Sequence, residues 1–268
     1  MKALKFLLLI VLCLPVIGAT QADSGIDPEA LIERILAVEL QQKNRLHDVT
    51  FDAEYIEGEN KDGEFVEKLR VVKKVFIKYL PDTVLYREEY KELYKDRERK
   101  SDKDMASEYK DRIEKKEKRK GRDVSYPILK PFYPENRDLY QVNYEGVTDE
   151  RIDGYVCHHF RVDARDEVDT LINGDYYFEA GAFHLVRVDF SPAKLVKKTM
   201  FKLKSLNMTI IYGPTADDIW LPRQFEVSGE GKAALFFGVN FTGTEYYRNP
   251  RVNKGLSESD FEKEQDDD

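Results

Sequence analysis

Cysteine, tryptophan, histidine and long apolar runs are all scarce in this chain of 268 residues. It has two cysteines, one of them inside the N-terminal apolar run, so a disulfide framework is excluded. No second long apolar run follows, which excludes a polytopic membrane protein. Positive charge is also in deficit, because the net charge is -8, and this argues against a general nucleic-acid binder.

What the chain does contain is enough aromatic and apolar material for one core. Aromatic residues make up 12% of the sequence, well above the content typical of disordered chains. The length and this content predict a single β-rich domain over residues 23–252. From residue 253 the chain has few apolar residues and ends in three aspartates, so 253–268 is predicted to be an acidic flexible tail.

Residues 1–22 have the layout of a secretory signal peptide. Two lysines precede an apolar run at 6–14, and small residues support cleavage after Ala22. The alternatives are an uncleaved N-terminus and lipidation of Cys13, although the bulky Leu12 directly before Cys13 does not suit a lipidation site. We therefore expect export to the periplasm. The mature chain would have a net charge of -10, because the segment removed carries two lysines and no acid.

The hydrophobic periodicity predicts many antiparallel strands and two helices. Asp27-Pro28-Glu29 opens a helix that ends near 45–48, and a capping box at 101–104 opens a second over about 102–120. Elsewhere period-two alternation between frequent turns indicates strands, and only Val84–Tyr94 fits both periods. The expected fold class is α+β, mainly β: an antiparallel open sheet with an N-terminal helix and an inserted charged helix at about 101–121.

Positive charge is concentrated around the second helix. Residues 87–122 hold 15 basic and 11 acidic side chains, whereas the rest of the chain is acidic. These cations either form a solvated helix end that suits the helix dipole, or contact an anionic lipid head group or an acidic partner. The candidate residues for such an anionic contact are Lys115, Lys116, Lys118 and Arg119.

The order of the elements and several short motifs resemble one family. The motifs are Val75-Phe76-Ile77-Lys78-Tyr79-Leu80-Pro81-Asp82, Ile152-Asp153-Gly154-Tyr155, Tyr176-Tyr177-Phe178, Leu185-Val186-Arg187, Trp220-Leu221-Pro222 and Tyr246-Tyr247-Arg248. Together with the N-terminal helix, this layout is similar to the periplasmic outer-membrane lipoprotein-sorting carriers and related sigma-factor-regulating sensors, the LolA/LolB/RseB-like superfamily. The long charged segment 87–122 departs from the compact carriers of that group.

The resemblance implies an open half-barrel of antiparallel strands wrapped round helices, with a cavity that holds acyl chains in the classical carriers. The alternating apolar residues of this chain suit such a cavity, and they equally suit a packed core. The candidate lining residues are Phe51, Tyr55, Leu69, Val71, Tyr177, Phe190 and Phe225.

Motifs of catalysis are missing from the sequence. It contains no G-x-S-x-G, no glycine-rich phosphate loop and no H-E-x-x-H. Cys157 and His159 share one face of a predicted strand and could approach His184, but no carboxylate is placed to complete a metal site. We therefore expect no catalytic site, no metal and no cofactor.

Two functions of different classes remain. The first is an exported periplasmic carrier that binds a lipid or lipoprotein and holds an apolar or acylated ligand in the half-barrel. The alternative is a non-enzymatic envelope sensor or interaction protein that docks a protein partner through its charged helix. An enzyme ranks third. In each case we expect a monomer that binds no nucleic acid and makes peripheral membrane contact at most.

Overall fold

The computed structural model describes residues 27–61, 63–117, 128–195, 197–198, 201–233 and 237–261. The export segment with its cleavage point after Ala22, and the end of the acidic tail, lie outside these ranges and stay predictions. Helix α1 spans Pro28–Arg45 and helix α2 spans Asp102–Glu117. Within the described ranges, no helix combines the length and the apolar character needed to cross a bilayer.

Strands make up most of the remainder. They are β1 (Asp48–Lys61), β2 (Glu64–Tyr79), β3 (Val84–Lys95), β4 (Glu98–Arg99), β5 (Tyr140–Val147), β6 (Cys157–Ala164), β7 (Ile172–Glu179), β8 (Leu185–Pro192), β9 (Lys197–Lys198), β10 (Phe201–Pro214), β11 (Trp220–Ala233) and β12 (Phe237–Val252). The segment that fits both periods in the sequence is therefore a strand, β3.

Both helices begin where their sequences favour it. At α1 the Asp27 side chain accepts a hydrogen bond from the Glu29 backbone N–H at 3.0 Å, and proline occupies the first turn. At α2, Ser101 and Asp104 form the predicted capping box, in which the Ser101 hydroxyl accepts from the Asp104 N–H at 3.3 Å. The first half of α1 is buried against the sheet through Leu31, Ile32 and Ile35.

One antiparallel sheet contains all the described strands. Their order is β4-β3-β2-β1-β12-β11-β10-β8-β7-β6-β5, with the short β9 beside β10. β4 and β5 are the two edges and do not pair with each other, so the sheet is open. This confirms the predicted fold class, a mainly β, antiparallel open half-barrel with helices.

The chain crosses from one edge of the sheet to the other between β4 and β5. Helix α2 and the segment 128–139 belong to this connection, and they pack on the same face of the sheet as α1. Met105 of α2 packs against the buried cluster of Leu69, Val71 and Leu93, and Phe132 packs edge-on against Phe160 with 5.6 Å between ring centroids. The charged helix, predicted as an insertion, is thus part of the edge-to-edge connection. We call the face that carries α1, α2 and Phe132 the inner face.

A row of cross-strand partners shows which side chains share the inner face. Each member is paired with the next across ten strands, from β3 at one end to β5 at the other. The row is Leu93, Val71, Tyr55, Glu245, Phe225, Ile210, Val188, Tyr176, Phe160 and Tyr144. Nine members are apolar or aromatic. The inner face therefore carries a continuous apolar band that a single carboxylate, Glu245, interrupts.

Three buried clusters lie on this face, and two of them hold a helix to it, the first α1 and the third α2. The largest joins α1 and Phe132 to β5 through β8, with Ile35 and Phe132 each 1% exposed. A second lies on β1, β2 and β12 around Val49 and Val75. The third lies under α2, around Leu93. The core is thus divided between the two helices, and the middle of the sheet lies between them.

The segment after β12 is tied back to the start of β1. Its residues 253–256 fall in the tail that the sequence assigned as flexible. The buried carboxylate of Asp48 accepts hydrogen bonds from the backbone N–H groups of Lys254 at 2.8 Å, Gly255 at 3.0 Å and Leu256 at 3.2 Å. These bonds satisfy the buried charge and hold 253–256 against the sheet.

Candidate functional site

A strip of half-buried apolar side chains crosses the inner face between the areas that the two helices cover. Its residues lie on β10, β11 and β12, in the middle of the sheet. They are Ile210, Phe225, Val227, Val239 and Phe241. Phe225, Val227 and Phe241 belong to none of the three buried clusters in the described part of the chain. We call this set the central strip.

Two glycines let aromatic rings lie close to the backbone beside the central strip. A Cβ added to Gly229 would lie 2.5 Å from the ring of Phe241. A Cβ added to Gly243 would lie 2.9 Å from the hydroxyl of Tyr55. Both distances are far shorter than van der Waals contact, so any larger residue would push these rings away from the sheet. The glycines therefore provide the space that these two rings occupy on the inner face.

The predicted lining residues differ in how deeply they are buried. Tyr55 and Phe225 are half-buried on the inner face, and their contact with a ligand stays a prediction. The other predicted residues of this face are at most 9% exposed and pack within the three clusters. They are Phe51, Leu69, Val71 and Phe190. Their role as ligand contacts stays a prediction, and in this structure they act as core.

Tyr177 lies on the opposite face of the sheet. Its ring stacks on His159 with 4.7 Å between centroids, and it is half-buried among the charged side chains of that face. Because side chains alternate along a strand, its neighbours Tyr176 and Phe178 take the inner positions and are fully buried. Those two neighbours, which belong to a motif but were not among the predicted lining residues, fill the core on the face where Tyr177 was expected to lie.

The inner face carries a charged cluster that the sequence did not predict. Lys73 of β2 is 7% exposed, and its Nζ donates a hydrogen bond to Glu88 Oε1 at 2.9 Å. The same Nζ lies 2.8 Å from Glu245 Oε1 on β12. The Tyr86 hydroxyl donates to Glu88, and Tyr247 is hydrogen-bonded to Glu245. We call Lys73, Glu88 and Glu245 the inner charge cluster.

The small side chain of Ala53 makes this cluster geometrically feasible. Ala53 pairs with Lys73 on one side and with Tyr247 of β12 on the other. The lysine must pass over β1 to reach Glu245, and adjacent strands are about 4.8 Å apart. A methyl group leaves the lysine stem room to lie along the sheet, whereas a longer side chain at position 53 would occupy its path. The signal in the sequence is a lysine on the apolar register of β2, between Val71 and Val75.

The tyrosines around the cluster remain neutral. Burial raises the pKa of Tyr86 and Tyr247 well above the usual range, and the nearby charges of Glu88 and Glu245 raise it further. Burial also raises the pKa of Tyr55 and Tyr90, which face the same carboxylates. Their hydroxyl groups are therefore hydrogen-bond donors across the whole physiological pH range.

A second charged group lies under α2 and is balanced. Arg112 donates to Glu108 Oε1 at 2.9 Å and lies 3.9 Å from Glu57 Oε2, while Lys95 Nζ lies 2.8 Å from Glu108 Oε2. Two cations thus face two carboxylates. The Arg112 guanidinium also lies over the ring of Tyr55 at 5.1 Å.

The residues predicted to contact an anionic partner lie beyond or at the limit of what the structure describes. Lys118 and Arg119 lie outside the described residues. Lys115 and Lys116 are in the last turn of α2, but their side chains are not described. Their contact with an anionic surface stays a prediction.

The histidines and Cys157 are spread over separate surroundings. His159 Nε2 lies 2.9 Å from Asp175 Oδ1, while His184 stacks on Trp220 with 5.0 Å between centroids. Burial raises the pKa of the Cys157 thiol to about 12. Among the described residues, no group of three His, Cys, Asp or Glu side chains is placed to hold a metal ion.

No protein-family model and no curated protein matches this chain. Among solved structures, a DUF1329 family protein from Desulfovibrio piger overlaps with a TM-score of 0.45 at 14% identity, covering 89% of this chain and 98% of that one. An outer membrane lipoprotein-sorting protein domain from Vibrio parahaemolyticus gives 0.40 at 16%, covering 87% and 97%. A LolA superfamily protein from Nitrosomonas europaea gives 0.34 at 9%, covering 88% and 98%. The last two bear the names of the group that the sequence motifs resemble. These structural overlaps are too weak to assign a ligand or a partner to this chain.

Proposed function

We propose that this chain is an exported periplasmic carrier that binds an apolar or acylated ligand, a lipid or a lipoprotein, on the inner face of its half-barrel. The observation that carries the proposal is the central strip. It places half-buried apolar side chains on the inner face of an open sheet, between the regions where α1 and α2 pack. Each methylene that a ligand buries there contributes about 0.8 kcal/mol.

The surroundings of the strip suit an amphipathic ligand. Along the cross-strand row, apolar side chains continue directly through Val188 towards β5, and beyond Glu245 they resume at Tyr55 towards β3. The inner charge cluster and its tyrosines adjoin the strip at Glu245, which pairs with Phe225. A ligand could thus place its chain on the strip and its polar end at the cluster. This role requires no chemical step, so we propose binding without catalysis.

Binding of N-phenyl-1-naphthylamine, together with native mass spectrometry of protein isolated from its host, tests the proposal. We expect copurified lipid and saturable fluorescence that an acylated competitor displaces. Ile210 and Ile211 offer a matched pair, because they are adjacent in β10 and point to opposite faces. We expect Ile210→Asn to weaken probe binding about tenfold, roughly 1.4 kcal/mol, and Ile211→Asn to leave it unchanged. Equal effects of both variants, or the absence of any bound lipid and of any displacement, would refute the proposal.

The alternative is a partner-docking envelope protein, and one observation favours it. Ile113 of the charged helix α2 is 37% exposed, so an apolar side chain is presented amid charges as at many docking surfaces. Charge reversal at Lys115, Lys116, Lys118 and Arg119 should then abolish capture of a specific envelope protein. Reversal of Lys61, Lys202, Lys204 and Lys232, which are exposed elsewhere, is the control. An identical set of captured proteins with both variants would dispose of the alternative.

A further inference from the structure

We infer that one end of the sheet, where β10 begins and β11 ends, docks on the surface of a bilayer that contains anionic phospholipid. The contact is made by three exposed lysines at this end, Lys202 and Lys204 of β10 and Lys232 of β11. We call them the lysine patch. The inference goes beyond the proposed function, because a surface can dock on a membrane whether or not the inner face holds a ligand.

Two of these lysines belong to a part of the sequence that has no acidic residue. Residues 190–216 contain five lysines and neither Asp nor Glu, in a chain whose net charge is -8. Elsewhere on the sheet, cations lie beside carboxylates that pair with them, as Arg187 does with Asp189 at 2.7 Å. A stretch of one sign of charge in an acidic chain is typical of a surface that meets the opposite charge.

The fold brings the three lysines together on one face. Lys202 and Lys232 are direct cross-strand partners, so their side chains are neighbours on the same face of the sheet. Lys204 points to that face too, because Leu203, which lies between it and Lys202, is buried on the other. Like charges directly opposite each other destabilise a sheet. The fold therefore tolerates a repulsion here that a carboxylate at either position would remove.

The described residues do not neutralise the lysine patch. None of their carboxylates lies within ion-pair distance of a patch lysine, and Glu59 of β1, at the same end of the sheet, is paired with Lys68 at 3.4 Å. The strand connections at 199–200 and 234–236 contain no acid in the sequence. Glu230 of β11 is the carboxylate beside the patch. Even with Glu230 counted, three lysines and one carboxylate leave a net charge of +2.

The negative charge of the whole chain does not cancel this attraction. Charges more than about 8 Å apart are largely screened at physiological ionic strength. A bilayer with anionic lipids attracts each lysine that comes close to its surface. Residues 190–216 contain no arginine, and lysine suits attraction to a charged surface better than bidentate binding of a single phosphate.

A cleft at the same end favours a bilayer over a soluble polyanion. Its volume is about 630 Å³, and Lys61 and Lys204 line it together with Val239 of the central strip. The apolar strip therefore reaches the surface beside the patch. Phe65 is 42% exposed and is the cross-strand partner of Asn60, which also lines the cleft. An exposed aromatic ring beside lysines suits the boundary between lipid head groups and acyl chains.

Sedimentation with vesicles tests the inference. The full mature chain is mixed, at about 0.1 M salt, with vesicles of phosphatidylcholine alone or with about 30% phosphatidylglycerol. We expect binding to the anionic vesicles only, and a loss of at least about tenfold when the salt is raised to about 0.5 M. Heparin-agarose is the arm with a soluble polyanion. Retention on heparin without binding to anionic vesicles would overturn the assignment to a bilayer.

Two triple variants assign the binding to the patch. Replacing its three lysines by glutamine should weaken binding to anionic vesicles about a hundredfold, since each lysine near such a surface contributes roughly fivefold. The matched control is Lys43→Gln/Arg251→Gln/Lys254→Gln, which removes three exposed cations at the other end of the sheet and changes the net charge equally. It should keep wild-type binding. Circular dichroism establishes that both variants are folded.

Two further results would overturn the inference. One is equal binding to neutral and anionic vesicles, or binding to neither. The other is an equal loss in both folded triple variants, because the net charge would then act and not the patch. Binding of N-phenyl-1-naphthylamine in solution separates this inference from the proposed function. The patch variant should bind this probe as wild type does, and a wild-type chain that binds vesicles but no probe and no lipid refutes the carrier and leaves the docking intact.

The docking is also distinct from the partner-docking alternative. The lysine patch lies on β10 and β11, and its occupant is a lipid surface. Charge reversal in the patch therefore leaves capture of a protein through α2 unchanged.

Discussion

At the scale of single residues, the inner charge cluster is the feature that stability alone does not explain. A buried ion pair rarely stabilises a fold more than apolar residues of similar volume would. Lys73 nevertheless lies on the apolar register of β2, opposite the small Ala53. A sequence can reveal such a position only as one charged residue in an alternating apolar strand. Its partner Glu88 comes from β3, the next strand along the chain, whereas Glu245 comes from β12, which no local pattern connects to β2.

Lys73→Met should be strongly destabilising. The change leaves Glu88 and Glu245 facing each other without the cation between them, which we expect to cost about 3 kcal/mol of unfolding free energy. Urea denaturation measures this cost. The triple variant Lys73→Met/Glu88→Gln/Glu245→Gln should recover most of it, and Lys202→Met, at an exposed position, should change stability by less than about 0.5 kcal/mol. If Lys73→Met is as stable as wild type, Lys73 does not stabilise Glu88 and Glu245, and the prediction is wrong.

His158 should make the fold sensitive to mild acid. Its Nδ1 lies 3.0 Å from the Tyr144 hydroxyl and its ring stacks on Phe183, and burial lowers the pKa of the imidazole. The unfolded chain therefore binds the proton first, so the stabilising contribution is complete above about pH 6.5 and is lost as the pH falls through the lower folded value.

Chemical denaturation at several pH values between about 7 and 5 measures this sensitivity. We expect His158→Gln to reduce the loss of stability by up to about 1.4 kcal/mol per pH unit, relative to wild type. His47→Gln, at an exposed position, is the control. If the unfolding free energy of His158→Gln changes with pH as that of wild type does, the acid sensitivity does not come from His158.

At the scale of elements, β3 is a strand that the periodicity of the sequence could not distinguish from a helix. Its tyrosines at 86, 90 and 94 recur every four residues, which suits a helix and a strand alike. Pairing with β2 makes it a strand, and the register shift between Val72 and Lys73 moves Leu93, instead of Tyr94, to the inner face. The periodicity of the sequence predicted the helices and the large number of strands. It could not predict the one-residue bulge, because a bulge depends on the partner strand.

The junction of β1 with the segment after β12 should be sensitive to one carboxylate. Asp48→Ala removes the acceptor for three backbone N–H groups, those of Lys254, Gly255 and Leu256. We expect a loss of about 2–3 kcal/mol, because three charge-assisted hydrogen bonds to a buried carboxylate are removed. Hydrogen exchange should show these three amides losing protection before the rest of the sheet. Asp52→Ala, at an exposed position of the same strand, is the control. Unchanged protection in Asp48→Ala would refute the role of this residue.

At the scale of the whole molecule, the sequence predicted the antiparallel open sheet but not the route of the chain across it. Turn spacing indicates hairpins between consecutive strands, and such pairs account for most of the sheet. The pairing of β1 with β12 joins distant parts of the sequence and leaves no local signal. For the same reason the sequence could not show that α2 lies in the edge-to-edge connection, nor that the central strip lies between the two helices.

The β1–β12 pair also has a consequence for how the protein folds. The hairpins on either side need only short loops to close, whereas this pair brings together positions 49 and 252 and carries the largest loop entropy of the sheet. We therefore expect β1 and β12 to join late, after the barrier to folding. A change that strengthens their contact would then slow unfolding while leaving the folding rate almost unaltered. The unfolding rate would thus depend on the β1–β12 pair, whereas the folding rate would depend on the hairpins.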